Sequence, residues 1–503
     1  MRANLQNNSE LDQSIFEANI TGTLAQMPAG GLQYSLGATK REEQYAFRTD
    51  SYTTNESFTA TGLGLFPTSN TTGSFDVKEI YGELLIPLAS GVPGVEHFNL
   101  ELGSRASDYS SVGKVDTYKA LIDWGVTSWA RFRGGVNRAN RAPNLGELFL
   151  SRTQVVGNPG GIYGDQCSEN SLEGPYSANP NVNVGGAQGA MFAKNICSAI
   201  MTATGASIYY GRPIVDQPQT GANGLPNTTG NPDLQSEEAD TFTFGLVISP
   251  VSDLPFLRAM TLSLDYYEIE IADMIAVEDA DAVYQRCLDP AFNPNGSAAT
   301  AACMSLLRDP QTGNPVSIDL SYTNEGRSVT SGVDLQLNWS TMLQSGGLNL
   351  NVLANYNMEN ITQAADGLAE IDWAGTMGCA LQLQCMGYDY RVFSTLNYTR
   401  GAWSASLRWQ HWPSIKAAAS ATNPSTVLPG VTKSYDLFAL SGSYSLGQRY
   451  LIRMGIENLF DKDPPLSGGN PVATPFPTAP THAGGATYDP LGRRFFASVT
   501  MDF

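Results

Sequence analysis

The sequence predicts an all-β fold, a transmembrane antiparallel β-barrel of about 15 strands, and three observations carry that prediction. The first is the last stretch, RRFFASVTMDF. Phe495, Ala497, Val499, Met501 and Phe503 fall on one face and Phe496, Ser498, Thr500 and Asp502 on the other, the period-two pattern of a strand between an apolar and a polar medium. The second is that no segment approaches the roughly 20 consecutive apolar residues of a membrane helix. A membrane-spanning chain of this kind must therefore cross with strands closed into a barrel, which satisfies every backbone polar group. The third is that connections alternate between short and long, as they do between the two rims of an outer-membrane barrel.

Strands are predicted near 14–26, 32–48, 75–90, 97–107, 114–127, 130–139, 237–249, 259–276, 316–340, 348–360, 388–400, 403–414, 433–446, 450–460 and 493–503. The strand near 348–360 is the most legible. Leu348, Leu350, Val352, Ala354, Tyr356 and Met358 share one face, and Asn349, Asn351, Asn355, Asn357 and Glu359 the other. Short turns are expected at 27–31, 91–96, 128–129, 401–402 and 447–449, and long loops at 49–74, 140–236, 277–315, 361–387, 415–432 and 461–492. Only 108–113 is short where a long loop is due. With short turns at the periplasmic rim, the last strand runs toward them and the carboxyl terminus is periplasmic. Aromatic residues near strand ends, Tyr34, Tyr81, Trp124, Trp129, Tyr266, Tyr267, Trp339, Trp403, Trp409, Trp412, Tyr435 and Tyr450, are candidates for the interfacial girdles. An odd number of strands would bring the first and last together in parallel, so either a strand is missed or split, or the chain is the later part of a larger barrel.

The formal charge of -19 argues against a nucleic-acid partner, which needs clustered Lys and Arg, and suits an acidic solvated surface. The first residues, MRANLQNNSELDQ, carry no secretory signal, so the expectation is that it was removed or that the true beginning is missing. Six cysteines lie as Cys167 and Cys197, Cys287 and Cys303, and Cys379 and Cys385, each pair within one connecting segment. Fifteen connectivities are possible; local pairing is the simplest and suggests an oxidising compartment. The spacings are not those of a zinc site, and neither metal nor cofactor is expected. His97, His411 and His482 are the only candidate bases, and no nucleophile motif accompanies them, so the chain is not expected to be an enzyme.

Four stretches resemble the TonB-dependent outer-membrane receptors. They are RFRGGVNRANRAPNLGELF (Arg131 to Phe149), GNPDLQSEEADTFTFGL (Gly230 to Leu246), YTNEGRSVTSGVDLQLNW (Tyr322 to Trp339), and IENLFDKDPP (Ile456 to Pro465) joined to the terminal strand from Gly492. Gly332-Val333-Asp334 stands where the family usually has Gly-Val-Glu. The physical reading of these motifs is structural: Pro143 and Asn231-Pro232 turn the chain out of the wall and back, and Gly332 and Gly455 suit bulges or close backbone approach.

The resemblance implies a barrel of 22 strands occluded by an amino-terminal plug, so the whole chain, 1–503, is read as one partial barrel domain without plug and first strands. It also implies active uptake of a scarce nutrient, an oligosaccharide or a ferric siderophore, with energy delivered through the TonB complex, and contact with outer-membrane lipid and lipopolysaccharide. A passive porin-like channel is the alternative. In loop 140–236, Tyr163, Tyr176, Tyr209 and Tyr210 among many Asn, Gly and Gln are candidate ligand contacts, and Trp373 is a second candidate. The loop 277–315 contains DADAVYQRCLDP and ATAACMSLLRDP, whose spacing suggests two short helices joined by Cys287 and Cys303.

Overall fold

Pairing between sequence neighbours dominates the architecture, because each turn returns the chain alongside the strand it has just left. The computed structural model describes residues 5–51, 68–154, 164–218, 226–251, 254, 257, 259–363, 369–377, 387–422, 432–467, 481–482 and 488–501, apart from 173, 418 and 448. All fifteen predicted strands are present: β1 (Asn8–Met27), β2 (Gly30–Arg48), β3 (Thr71–Val92), β4 (Val95–Tyr109), β5 (Gly113–Thr127), β6 (Ala130–Arg141), β7 (Glu237–Ile248), β8 (Ala259–Val277), β9 (Pro315–Leu343), β10 (Gly346–Gln363), β11 (Tyr390–Arg400), β12 (Trp403–Trp412), β13 (Tyr435–Leu446), β14 (Tyr450–Glu457) and β15 (Arg494–Met501). Each is antiparallel to the next, and four short pieces from the loops bring the sheet to 19 strands. The main disagreement is at β1, which starts at Asn8. Residues 8–13 are polar apart from Leu11 and give no sustained alternation, yet they pair with the far end of β2 (Asn8 with Arg48, Asp12 with Gln44).

The two faces differ in chemistry. One presents Phe16, Ile20, Leu36, Ile80, Leu102, Phe242, Leu264, Leu440 and Val499, all exposed, the surface expected to meet lipid. A cross-strand aromatic row, Phe98, Trp124, Phe132 and Phe244, lies on it with centroids 6.3, 5.7 and 5.9 Å apart. Tyr34, Trp124, Tyr266, Trp339, Trp403, Trp409 and Tyr450 share that face by register. Tyr81, Tyr267, Trp412 and Tyr435 point the other way, because polar or aromatic partners wait on the inner face: the Tyr81 hydroxyl donates to Glu17 at 2.9 Å, and Trp412 packs on Tyr435 at 5.6 Å. The opposite face is polar and is where the long loops dock, so it is the inner one. The ring of Phe149, from the loop after β6, lies over Gly73 of β3, where a Cβ would fall 2.1 Å from it.

Among the described residues the outer edges of β1 and β15 carry no strand partner. β1 is exposed along almost its whole length and β15 at every position from Arg494 to Met501. Gly332 sits at a register shift between β9 and β10, and a Cβ there would meet the Tyr356 carbonyl oxygen at 2.5 Å and the Tyr267 hydroxyl at 2.6 Å. Gly455 is crossed by the Phe496 ring at 2.4 Å from its ideal Cβ. Both glycines are close-approach sites, as their motifs suggest. A Gly332→Val substitution forces backbone apart rather than a mobile side-chain end, at a cost of about 1–3 kcal/mol. The expected readout is a lower fraction of heat-modifiable, folded protein in outer membranes, with Gly82→Ala, whose nearest contact is the end of Leu36 at 3.0 Å, close to wild type.

Candidate ligand-binding site

Three of the motifs that lie far apart in the chain meet at one point on the long-loop rim. Asn144 caps the five-residue helix α1 (Leu145–Phe149), accepting from Glu147 N at 2.9 Å while Glu147 Oε2 accepts from Asn144 N at 2.8 Å. Arg141, the last residue of β6, donates to both carboxylate oxygens of Glu237 at 2.6 and 2.8 Å and to Glu147 at 2.9 Å. Glu237 also accepts from Ile275 N at 2.7 Å, tying β7 to β8. Gly230 N and Asn231 N donate to Leu150 O and Glu147 O at 2.7 and 2.8 Å, and Asn231 Nδ2 donates to Tyr322 O at 2.9 Å. Leu145, Leu148 and Leu234 close over Phe75 and Ile275 in a small core. The long excursion between β6 and β7 is thus clamped where it leaves and where it returns.

Beyond the clamp, two loops fold into one cap. The first contributes helices α2 (Gly186–Ile200) and α3 (Ala203–Gly211), the second α4 (Ala280–Leu288) and α5 (Ala301–Met304). Thr202 caps α3 and Asp279 caps α4. Val283, Tyr284 and Leu288 of the second loop pack with Ala193, Ile196 and Tyr209 of the first. Disulfides join Cys167 to Cys197 and Cys287 to Cys303, and among the described residues no cysteine is free. β9 overshoots its wall neighbours, and its first residues pair with Leu306–Arg308 and Asn227–Thr229, so the cap stands on the wall. At its centre Arg308 donates to both oxygens of Asp165 at 2.8 and 2.7 Å, with side-chain exposures of 3% and 0%. Burial pushes the Asp165 carboxyl up, but the Arg308 charge and hydrogen bonds, with the Tyr209 hydroxyl at 2.7 Å, outweigh it and hold the group below the usual carboxylate range.

The cap explains where the candidate contacts fall. Tyr209 is fully buried with its hydroxyl given to Asp165, so it holds the cap and offers no surface to a ligand. Tyr210 donates to Cys167 O at 3.0 Å and lies under the Lys194 ammonium, 4.8 Å from the ring centre. The Tyr176 hydroxyl accepts from Gln285 Nε2 at 2.8 Å, bridging the two loops. These three tyrosines are brought together, but chiefly to join the cap. Trp373 is elsewhere, buried against β10 with Nε1 donating to Thr362 at 2.7 Å. Tyr163, Cys379 and Cys385 lie outside the described residues.

Beneath the cap, features that the sequence did not reveal line the inner face. A cavity of about 440 Å³ opens at the long-loop rim between β1, β2 and α1, lined by Leu11, Glu43, Tyr45, Phe47, Leu145 and Thr153. Below it, β3 to β8 carry cross-strand ion pairs: Arg105 with Glu79 at 3.3 Å, Lys119 with Glu83 and Glu101 at 2.9 and 2.7 Å, and Arg133 with Asp265 at 2.7 Å. A second aromatic group, Trp412, Tyr435, Tyr488 and Tyr388, packs on Ile415 at the same rim. His411 Nδ1 lies 2.8 Å from Asp436 and Nε2 3.3 Å from the Tyr390 hydroxyl. By register this trio lies on the outer, apolar face, away from the inner wall.

The sequence pattern of the family described as TonB dependent receptor-like, beta-barrel, matches residues 2–459. The chain belongs to the TonB-dependent receptors. This membership indicates a protein of the bacterial outer membrane, in a family of receptors and transporters rather than enzymes. No curated protein sequence matches the chain. Among solved structures, the ferric enterobactin receptor of Pseudomonas aeruginosa is 16% identical with a TM-score of 0.58, covering 98% of this chain and 55% of that one. The siderophore receptor PirA of Acinetobacter baumannii is 14% identical with a TM-score of 0.56 over 98% and 55%, and the outer membrane transporter YddB of Escherichia coli 13% identical with 0.53 over 99% and 55%. These likenesses concern the fold, and this receptor chain spans about half the length of each.

Two outcomes follow for the receptor's cap. Asp165→Asn leaves the Arg308 charge buried without its counter-ion and should cost about 3–5 kcal/mol, read as early loss of amide-exchange protection over 165–217 and 280–318 while the wall stays protected. Because the folded Asp165 lies below its unfolded value of about 3.9, its contribution is full above that value and is lost as pH falls through the lower folded one. The same protection should therefore hold from about pH 8 to pH 5 and fail only below about pH 4, and a cap that loosens near pH 6 would contradict the assignment.

Proposed function

We propose that this chain is the barrel part of an active outer-membrane receptor that takes up a scarce nutrient, an oligosaccharide or a ferric siderophore, with energy delivered through the TonB complex. One observation carries the reading: two long loops build a disulfide-stapled cap on the wall above a polar inner face with a cavity at its mouth. A passive pore has no need of so heavily braced a mouth, whereas a receptor must hold a capture surface still enough to recognise its ligand. In this reading Tyr176 and Tyr210, which keep part of their surface, and the cavity at Tyr45 and Phe47 contribute to capture. Tyr209 and Trp373 act by holding the walls of the site in place. Tyr163 belongs to the same loop and is proposed as a contact on its sequence position alone.

The long loops face outward and the carboxyl terminus lies at the periplasmic rim, with the apolar outer face in lipid and lipopolysaccharide. The open edges of β1 and β15 extend the proposal. In lipid each unpaired N–H or C=O costs several kcal/mol, so the barrel is closed by further strands between them, seven if the family count of 22 holds.

The test is uptake in cells with and without TonB, with ferric enterobactin and maltohexaose as probes. Loss of uptake without TonB is the expected result. Uptake that persists without TonB, accompanied by steady conductance in planar bilayers, would replace the receptor by a porin-like channel.

A further inference from the structure

The inner wall divides into two chemically different sectors. On β3 to β6 the inward side chains form charged pairs, with Glu79, Glu83, Glu101, Arg105, Lys119 and Asp123 among them. On β9 to β13, toward the short-turn rim, the inward positions at 336–340, 347–353, 393–399, 404–406 and 441–443 contain no ionisable side chain. Apart from Gly347 and the apolar pair of Leu353 and Phe393 at one end, they are amides and hydroxyls in register from strand to strand: Asn338 opposite Asn351, Asn349 opposite Asn397, Ser404 opposite Ser443. Asn351 Nδ2 donates to Asn338 Oδ1 at 2.6 Å, Asn397 Nδ2 lies 3.4 Å from Asn349 Oδ1, and the Ser404 and Ser443 hydroxyls are 2.6 Å apart. A cavity of about 420 Å³ opens on this strip, lined by Ser340, Asn349, Asn397 and Thr399 together with the apolar Ala259, Met342 and Leu348. With strands about 4.8 Å apart and inward positions about 6.8 Å apart along each, the strip extends roughly 20 Å around the wall and 14 Å along it.

We infer that this strip, with its cavity, is a weak binding track for an uncharged polyhydroxylated solute, a short oligosaccharide, on its way to the short-turn rim. The inference deepens the uptake reading of the preceding subsection and rests on it. Each Asn amide has two donors and an acceptor with two lone pairs, so one bond along the wall leaves it able to donate and accept again. A sugar hydroxyl, itself both donor and acceptor, can exchange for water at any of these groups. Each exchange is worth only about 0.5–1.5 kcal/mol net, which holds a solute without trapping it. An anionic chelate finds no counter-charge within the strip and would be drawn instead to Arg453 at its edge, opposite Ser443 on β14, and to the basic members of the charged sector. Glucan-type solutes are thus favoured over ferric catecholates by this part of the wall.

The test is calorimetric binding of maltohexaose to the protein purified from outer membranes, comparing wild type with Asn349→Leu/Asn397→Leu and Asn349→Ser/Asn397→Ser. All three are first checked for heat-modifiable migration, and any that fails it is replaced by Asn351→Leu and Asn351→Ser. The expected result is about tenfold weaker binding in the leucine variant, from two lost hydrogen bonds, and near-wild-type affinity in the serine variant. Equal affinity in wild type and the leucine variant would overturn the track. So would an absence of maltohexaose binding to wild type, and TonB-dependent uptake of ferric enterobactin by the same cells would then leave the receptor reading standing.

Discussion

Every backbone N–H and C=O that passes through lipid must find its partner within the protein, and most of this structure follows from that requirement. It forces strands where no apolar helix is available and pairs each strand with its chain neighbour, through tight turns at one rim and mostly through long loops at the other. The exposed apolar residues of one face are then inevitable, because the pleat sends alternate side chains to the membrane. The same requirement makes the open edges of β1 and β15 the least self-sufficient part of the sheet.

Where strands rise past the membrane the constraint lapses, and side-chain chemistry takes over. At the rim, one guanidinium, Arg141, holds two carboxylates from opposite ends of a long excursion, so the loop begins and ends at a fixed place. Above it, burial of aliphatic and aromatic side chains from two loops supplies a small core, two disulfides restrict the unfolded alternatives, and the Asp165–Arg308 pair fixes how the loops meet. A buried pair of this kind is weak evidence for added stability. Its value here is geometric, since neither partner can move without stranding the other.

The site is layered from this construction. The cap and the mouth cavity lie at the long-loop rim, the charged pairs occupy one sector of the wall, and the amide and hydroxyl strip occupies another. Each of these layers presents a different chemistry on the inner face.

The fifteen strands, their order and the alternation of short and long connections were legible in the sequence, because the pleat writes a period of two into side-chain polarity and because Gly332 and Gly455 mark close approaches. The local disulfides of Cys167 with Cys197 and Cys287 with Cys303 were equally legible from their spacing. The inner or outer direction of Tyr81, Tyr267, Trp412 and Tyr435 was decided by tertiary structure, since an aromatic near a strand end suits either face until its partner is known. The role of Tyr209 was decided the same way: in the chain it is one tyrosine in a polar loop, and only folding sets it between Asp165 and a core drawn from a second loop. Local polarity is carried by each residue and survives in a one-dimensional reading, whereas the convergence of Arg141 with Glu237, or of Asp165 with Arg308, depends on contacts between segments many residues apart that no local pattern records.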